Sequence, residues 1–293
     1  MIDLLVLGDC NPDLLLAGGD VVPSFGQTEK LVDEARLLVG GSAAIAACGA
    51  AALGLSVALV AAVGDDVLGR FMLAELAGRG IDVSACPVDS GRDTGLTVAL
   101  VRGADRAMLT APGAIPALTP AHVPDSMLRG ARHVHVASYF LLDGLRDGLP
   151  ALLATARSAG ATVSVDPQGD PSGAWDGGLP ALAASLDMAF VNEQEHRMLP
   201  MTGCPLVIVK RGAAGAVALA SGGTVEARAP AVEAVDGTGA GDSFDAGFIA
   251  ARLRGLGVAE SLSVACACGA LSTRALGGAT AQPTFDEALA AAR

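Results

Sequence analysis

The fold class is decided by four short apolar segments in the middle of the chain, HVHVAS (133–138), ATVSVDP (161–167), MAFVN (188–192) and PLVIVK (205–210). Segments with helical patterning separate them, at 144–159, 178–186 and 193–199. Short buried strands that alternate with helices predict a parallel sheet with helices on both faces. The sequence therefore predicts an α/β protein, a three-layer α/β/α sandwich with a mostly parallel central sheet.

The same pattern continues toward both ends of the chain. On the N-terminal side, DLLVLG (3–8) is typical of a buried strand, and a helix–strand pair at 43–53 and 56–62 precedes a helix at 66–78. On the C-terminal side we expect two strands and three helices, at 215–220, 224–229, 240–254, 258–274 and from Phe285. No repeat or linker divides the sequence, so we expect one domain of residues 1–293.

Two segments outside this pattern predict a small accessory sheet. Residues 14–39 alternate weakly and carry several polar side chains, and residues 94–110 are typical of a β-hairpin whose turn is RGAD (102–105). Exposed strands are an aggregation hazard unless they are paired. We therefore expect the two segments to pair as a β lid on the main domain.

The composition excludes several classes of protein. With 293 residues, 52% hydrophobic and 17% charged, the chain can bury a large core and is not intrinsically disordered. Its net charge of −12 and its lack of a Lys/Arg run argue against nucleic acid and membrane surfaces as partners. The uncharged stretch from Ala43 to Val63 changes halfway from Ala-rich to Val-rich, which favours a helix followed by a strand over a membrane span.

The N-terminus and the cysteines indicate a cytoplasmic protein. Residues 1–10 (MIDLLVLGDC) lack the basic region of a secretory signal. The six cysteines form no C-x-x-C pair, and most lie in apolar stretches, as expected of buried thiols in a reducing compartment.

The strongest local motif is DGTGAGDSF (236–244), a Gly-rich turn followed directly by an Ala-rich predicted helix. A helix N-terminus presents unpaired N–H groups and the positive end of the helix dipole, so it is a natural anion site. The motif lacks the G-K-[ST] of a P-loop, and no G-x-G-x-x-G follows the first strand. Taken alone, the motif also suits a simple helix cap formed by Asp242 and Ser243.

Together with other segments, this motif resembles the ribokinase-like (PfkB) family of carbohydrate and nucleoside kinases. D-G-T-G-A-G-D is similar to the second family signature, and residues 40–54 with 63–82 are similar to the first. Further family-like segments follow in the expected order: GDCNPD, TGLTVALV, NEQE, VKRGAAG and TRALGGATAQPT. The resemblance spans essentially the whole chain, and it implies a ribokinase-like fold and ATP-dependent phosphorylation of a small molecule.

The resemblance implies roles for the residues of the motif. Asp242 would be the general base that takes the proton of the acceptor hydroxyl, and the backbone of 239–241 (Gly239, Ala240 and Gly241) would form the anion hole. The nucleotide-binding residues would be Asn192, Glu195, Lys210, Gly212 and Gly215. Glu195 would contact Mg²⁺ through water and Asp236 a monovalent cation, so the implied cofactors are ATP and Mg²⁺, with K⁺ as a candidate activator.

Local alternatives stay open on this nucleotide side. Glu193 and Glu195 also favour a helix N-terminus without any ligand. Lys210 could equally be a surface lysine, and Gly215 a hairpin glycine. The spacing of these residues does not decide between the alternatives.

The substrate side shows both agreement with the family and departures from it. The implied substrate-binding residues are Asn11, Asp13, Gly40, Gly41, Ser42 and Ile45. Asn11 and Asp13 would hydrogen-bond acceptor hydroxyls, and the glycine pair would allow a sugar to approach. Family sugar kinases read G-G-x-x-x-N, and Ile45 replaces that Asn, while Ser42 replaces the lysine of ribokinases. Because Ile cannot hydrogen-bond, a nucleoside becomes an alternative substrate.

We therefore predict transfer of the γ-phosphoryl group of ATP to a hydroxyl of a sugar or sugar derivative. The alternatives are a nucleoside kinase and a non-catalytic ligand-binding protein of this fold. The resemblance also implies a homodimer formed through the β lid. His133, His135 and His196 are interpreted as structural, and Trp175 either stacks on a ligand or anchors a loop.

Overall fold

The computed structural model describes residues 1–102 and 105–293. Its strands are β1 (Ile2–Leu7), β2 (Pro12–Ala17), β3 (Glu34–Val39), β4 (Val57–Val60), β5 (Val63–Gly64), β6 (Val88–Asp89), β7 (Leu96–Arg102), β8 (Asp105–Ala111), β9 (Ala131–Ala137), β10 (Thr162–Asp166), β11 (Met188–Asn192), β12 (Leu206–Lys210), β13 (Ala216–Ala220) and β14 (Gly223–Ala227). Its α-helices are α1 (Ser42–Ala52), α2 (Val67–Gly78), α3 (Asp125–Gly130), α4 (Asp143–Arg146), α5 (Leu149–Ser158), α6 (Leu179–Leu182), α7 (Glu193–Met198), α8 (Ala240–Leu253), α9 (Val258–Ser272) and α10 (Phe285–Ala291).

The central sheet has eight strands in the order β14-β13-β12-β11-β10-β9-β1-β4. The six strands from β12 to β4 are parallel, which confirms the predicted α/β class. The last two, β13 and β14, are antiparallel to their neighbours because short turns connect them to the preceding strands.

Strand β1 shows why the sheet is covered on both faces. Leu4 and Val6 belong to one apolar cluster, which includes residues of α1, α2, α8 and α9. Leu5 and Leu7 belong to the other, which includes residues of α3, α5 and α6. Since successive side chains of a strand point to opposite faces, these two clusters are the two interfaces of a three-layer sandwich.

Helix boundaries differ from the predicted ones where proline or glycine intervenes. The predicted helix at 144–159 is two helices, α4 and α5, because Pro150 fits only the first turn of a helix and Gly148 precedes that turn. The predicted helix at 178–186 is α6 followed by a 3-10 turn at 183–185. The uncharged stretch 43–63 folds as α1, β4 and the start of β5.

The two segments outside the main pattern form a four-stranded sheet in the order β3-β2-β7-β8, which we call the small sheet. Residues 18–33, between β2 and β3, form no strand. Part of the predicted RGAD turn, residues 103 and 104, lies outside the described residues. Within the described chain, none of the helices has both the length and the apolar character needed to cross a membrane.

The topology places a crevice at the carboxyl end of the parallel strands. The chain adds β4 on one side of β1 and the strands from β9 to β12 on the other, so the strand order reverses between β1 and β9. Ligands of open α/β sheets bind outside the carboxyl ends of the strands at such a reversal. Asp9, Ser138 and Asp166 lie at the ends of β1, β9 and β10, and α8 begins nearby.

Candidate active site

The Gly-rich motif forms a braced loop before α8. One Asp236 carboxylate oxygen accepts hydrogen bonds from the backbone N–H (2.9 Å) and the hydroxyl (2.7 Å) of Thr238. The other accepts from the backbone N–H of Gly277, at 2.8 Å. Asp236 thus fixes the loop to a segment 41 residues further along the chain.

Gly239 is the residue that lets this loop enter the helix. Its φ of +68° lies in the left-handed region, and it is the N-cap of α8. A Cβ atom there would lie 2.7 Å from Cα of Gly278 and 2.8 Å from a methyl group of Ile45. Only glycine fits this turn, and a helix N-terminus of this kind presents N–H groups that can bind an anion.

Asp242 lies in that first turn and is 5% exposed. Its Oδ1 accepts a hydrogen bond of 3.0 Å from Nε2 of Gln168, and the Ser42 hydroxyl also bonds it. Burial, and then the charge of Asp166, raise the pKa of Asp242 to about 8, while the Lys210 ammonium opposes that rise. A carboxyl group with such a pKa can accept a proton near neutral pH.

Behind Asp242 lies a buried charge cluster. Lys210 bonds Asp166 and lies 3.3 Å from both oxygens of Asp245. Oxygens of Asp166, Asp242 and Asp245 lie within 4.8 Å of one another. Burial by itself would raise the pKa of Asp166, but Lys210 holds it below its ordinary value. Burial raises the pKa of Asp245 well above its ordinary value.

The substrate side brings Asn11 and Asp13 together under the small sheet. Nδ2 of Asn11 donates to the hydroxyl of Thr97 at 3.1 Å, and Asp13 bonds the same hydroxyl. A Cβ atom on Gly40 would lie 2.1 Å from Oδ1 of Asp13, so the glycine makes room for this carboxylate. Burial, and then the charges of Asp9 and Asp236, raise the pKa of Asp13 to about 7.

The start of α1 links Asp9 to the loop of 236–241. Gly41, with a φ of +79°, is the N-cap of α1. The backbone N–H groups of Ser42 and Ala43 donate to the carboxylate of Asp9, at 3.1 and 2.8 Å. The side chain of Ile45 is 3% exposed and packs toward Gly239 and Gly278, so it supports the loop.

Asn192 and Glu195 form a capping box at the start of α7. Glu195 accepts hydrogen bonds from the backbone N–H (2.8 Å) and Nδ2 (2.7 Å) of Asn192, whose Oδ1 caps the first turn. Burial, and then the charge of Asp166, raise the pKa of Glu195 to about 7. The structure therefore contains the helix-capping arrangement that the sequence left open as an alternative.

Lys210, Gly212 and Gly215 line a cavity of about 740 Å³ beside the loop. Apolar groups such as Val232 and Cys266 line the same cavity, and it extends to the start of α8. Lys210 is 12% exposed and directs its ammonium group into the carboxylate cluster rather than lying on the surface. One cavity thus joins an apolar wall to a helix N-terminus.

The histidines and Trp175 have structural partners. His133 bonds Thr162 and Ser164, and His135 bonds Ser164 through Nδ1. Nε2 of His135 has no hydrogen-bond partner among the described residues, so this histidine is only partly satisfied. Trp175 packs on Phe140, which fits the loop-anchoring alternative.

Sequence analysis missed four residues of this site, namely Asp9, Asp166, Gln168 and Asp245. Asp9 and Asp166 each come at the end of a buried parallel strand, where ligand-binding groups of α/β folds collect, so their positions carried a usable signal. Asp245 is one helical turn after Asp242 and faces the same side of α8.

Three comparisons identify the family. A family model of pfkB carbohydrate kinases matches residues 1–284. An ATP-dependent ribose-1-phosphate kinase of Halopiger xanaduensis is 34% identical over 98% of this chain and 96% of that protein. A fructokinase of Klebsiella pneumoniae is 32% identical over 96% of each. A ribokinase II of Escherichia coli, in complex with ATP and Mg²⁺, has the same fold, with a TM-score of 0.85 and 23% identity over 98% of each chain.

These matches cover nearly the whole chain. They confirm the resemblance stated from the motifs, including the ribokinase-like fold. The chain belongs to the pfkB family of carbohydrate kinases, and it is a phosphotransferase that moves a phosphoryl group from ATP to a sugar or nucleoside hydroxyl.

Proposed function

We propose that the acceptor is a sugar or sugar derivative and that Asp242 takes the proton from its reacting hydroxyl. The observation that carries this proposal is the buried Asp242 carboxylate in the first turn of α8, next to the backbone of 239–241 at the helix N-terminus. A base and an anion site that share one helical turn can act on the attacking oxygen and on the transferred group together.

The residues present fit a nucleotide. The 740 Å³ cavity offers apolar walls for a base and ends at the helix N-terminus, which suits phosphates. A Cβ atom on Gly241 would lie 3.2 Å from Nζ of Lys210, so glycine keeps this end open. MgATP supplies the transferable phosphoryl group when bound. We propose that Gly212 and Gly215 contact the nucleotide through their backbone, and that Glu195, with Asn192, holds the hydrated Mg²⁺.

For K⁺ the fit is less direct. The Asp236 carboxylate already accepts three hydrogen bonds, and Arg106 lies 3.8 Å from it. A K⁺ ion at Asp236 would have to share this carboxylate with the loop. The test compares the rate of phosphorylation in K⁺ with the rate in tetramethylammonium, which is too large for such a site. Equal rates would remove this proposal.

The acceptor would lie between the small sheet and the carboxyl edge of the central sheet. In the register of the small sheet, Asp13 is opposite Thr97, and Thr97 is opposite Thr110, so the three polar side chains share one face. Such a row offers donors and acceptors for several hydroxyl groups. This arrangement favours a sugar. The nucleoside alternative depended on Ile45 as a substrate contact. It is less favoured because Ile45 packs under the loop.

We infer that residues 1–293 act as one domain with the small sheet as its lid, and that two lids meet in a homodimer. Leu37 is opposite Leu14, Leu14 is opposite Val98, and Val98 is opposite Leu109, so four apolar side chains form a row on the face opposite Asp13. Two of them, Leu37 and Leu109, are 39% and 65% exposed. On a chain of net charge −12, an uncharged apolar row is where a second copy meets the least repulsion.

The test is a screen of ATP consumption at saturating MgATP with pentoses, hexoses, sugar acids, sugar phosphates and ribonucleosides. We expect a sugar or sugar derivative to be phosphorylated, and Asp242→Asn to lower kcat by about 10²- to 10⁴-fold, the usual contribution of a general base. The Asp147→Asn protein, changed at an exposed aspartate that follows α4, is the matched control. A wild-type rate in Asp242→Asn would remove Asp242 as the base, and a response to ribonucleosides alone would make the acceptor a nucleoside.

A further inference from the structure

Gln168 is the uncharged group that touches the catalytic carboxylate from the central sheet. It follows β10 by two residues, and its carboxamide nitrogen donates to Oδ1 of Asp242 at 3.0 Å. The same nitrogen donates to Oδ2 of Asp166, also at 3.0 Å. One carboxamide thus bridges two carboxylates that belong to different layers of the protein.

Three observations indicate that the position of this carboxamide is fixed. The backbone N–H of Gln168 donates to Oδ1 of Asp166 at 3.1 Å, so both ends of the residue are tied to the same carboxylate. Asp166 is itself bonded to Lys210. Gln168 also has a φ of +58°, a left-handed conformation that a non-glycine residue keeps only where its surroundings hold it.

We propose that Gln168 is a positioning residue for phosphoryl transfer: its carboxamide, held by Asp166 and Lys210, orients the carboxylate of Asp242 toward the acceptor hydroxyl. This inference rests on the proposed role of Asp242 as the base. Gln168 donates to Oδ1 of that carboxylate, and the Ser42 hydroxyl also bonds the carboxylate. A side chain held in this way loses no orientational freedom when the acceptor binds.

The charges around Asp242 give the proposal a second measurable consequence. Asp9 approaches from the end of β1, Asp166 from β10, Lys210 from β12 and Asp245 from the next turn of α8. The carboxylates favour the protonated form of Asp242, whereas Lys210 and the N–H donor of Gln168 favour the ionised form. Removing that donor therefore raises the pKa of Asp242 and displaces the acidic limb of the pH–rate profile to higher pH.

The experiment compares Gln168→Ala and Gln168→Glu with wild type, using the sugar that gives the highest rate in the screen above. We expect Gln168→Ala to lower kcat about 10- to 100-fold, the effect of a displaced catalytic group, with KM for the sugar and for ATP within about threefold. Gln168→Glu keeps the shape but places a carboxylate next to Asp242. The midpoint of the acidic limb should therefore rise in the order wild type, Gln168→Ala, Gln168→Glu.

Two controls keep the result readable. Gln27→Ala removes an exposed glutamine that has the same left-handed backbone conformation, with a φ of +61°, and should leave kcat, KM and the pH profile unchanged. Far-ultraviolet circular dichroism and urea unfolding establish that each variant is folded. Since Gln168→Glu is close to isosteric, it provides the pH readout even where Gln168→Ala is unstable.

Two outcomes would overturn the proposal. One is an unchanged kcat and pH midpoint in both variants, which would leave Gln168 without a role in the step. The other is a rise in KM for the sugar alone, which would make Gln168 a substrate ligand. A fully active Asp242→Asn protein would instead remove the base itself, so failure of the proposed function is distinguishable from failure of the inference.

Discussion

The chain has only two lysines, and they mark two regions of opposite character. Lys30, in the segment between β2 and β3, pairs with Asp20, whose side chain is 65% exposed. Lys210, at the end of β12, pairs with Asp166 and Asp245, whose side chains are each 1% exposed. Solvent can replace the partner of the first lysine but not the partners of the second.

The two regions differ in how much the burial of their charged groups costs in folding free energy. Around Lys210, three carboxyl groups and one ammonium are buried together, an arrangement that a core built for stability alone would avoid. Around Lys30, the charges lie at the surface and little depends on any one of them. The proposed base, Asp242, lies in the buried region, whereas the small sheet carries a polar row and an apolar row on opposite faces.

Substituting each of the two lysines tests the difference between their regions most directly. We expect Lys210→Met to lower the free energy of unfolding by about 3–5 kcal/mol, because it leaves buried carboxylates without their cation. Lys30→Met, the matched variant, should leave the urea midpoint unchanged. Urea unfolding at pH 7, followed by circular dichroism, measures both. Equal midpoints for the two variants would mean that the buried cluster adapts to the loss of its cation.

The second prediction concerns how much the buried Asp242 lowers the free energy of unfolding. Because its pKa is about 8 in the folded protein and 3.8 is ordinary, the folded state holds a proton that the unfolded state releases between these two values. Wild-type stability should therefore fall as pH rises from about 4 to 8. Asp242→Asn has no such proton, so at pH 8 it should be the more stable protein, by on the order of 2 kcal/mol.

The pH dependence of that stability difference is as informative as its size. It should grow from pH 5 to pH 8 and then level off, because above pH 8 Asp242 is ionised in both states. The same urea series at pH 5, 7 and 9 measures it, with Asp147→Asn, at an exposed position after α4, as the control. A difference that is constant with pH would show that hydrogen bonding, and not the charge of Asp242, sets the cost.

The sequence predicted the parts of this site that are local in the chain. The loop of 236–241, the helix after it and Asp242 lie within one motif, so glycine spacing and helix-start chemistry located them, and the family resemblance implied the role of Asp242. The alternation of strands and helices gave the central sheet for the same reason. Each of these features depends on neighbours within about ten residues.

The parts that escaped prediction depend on long-range pairing. Gln168 and Asp242 are 74 residues apart, and Lys210 and Asp166 are 44 apart, so no local pattern indicates that they touch. Ile45 was predicted to lie at the substrate site, and its packing toward Gly239 depends on the position of α1 against α8, which the sequence does not indicate. The split between α4 and α5 was different, since Pro150 carried that signal.

The smallest expected effect concerns the apolar row on the face of the small sheet opposite Asp13. It extends the comparison from the buried cluster to an exposed apolar surface. Leu109→Ser removes an apolar side chain from the row shared with Leu37, and we expect it to weaken the proposed dimer by about 1 kcal/mol, roughly fivefold in Kd. Met108→Ser is the matched control, since Met108 is 50% exposed on the same strand but points to the other face. Sedimentation across a dilution series measures both, and a wild-type monomer, or equal effects of the two variants, would contradict a dimer formed through this face.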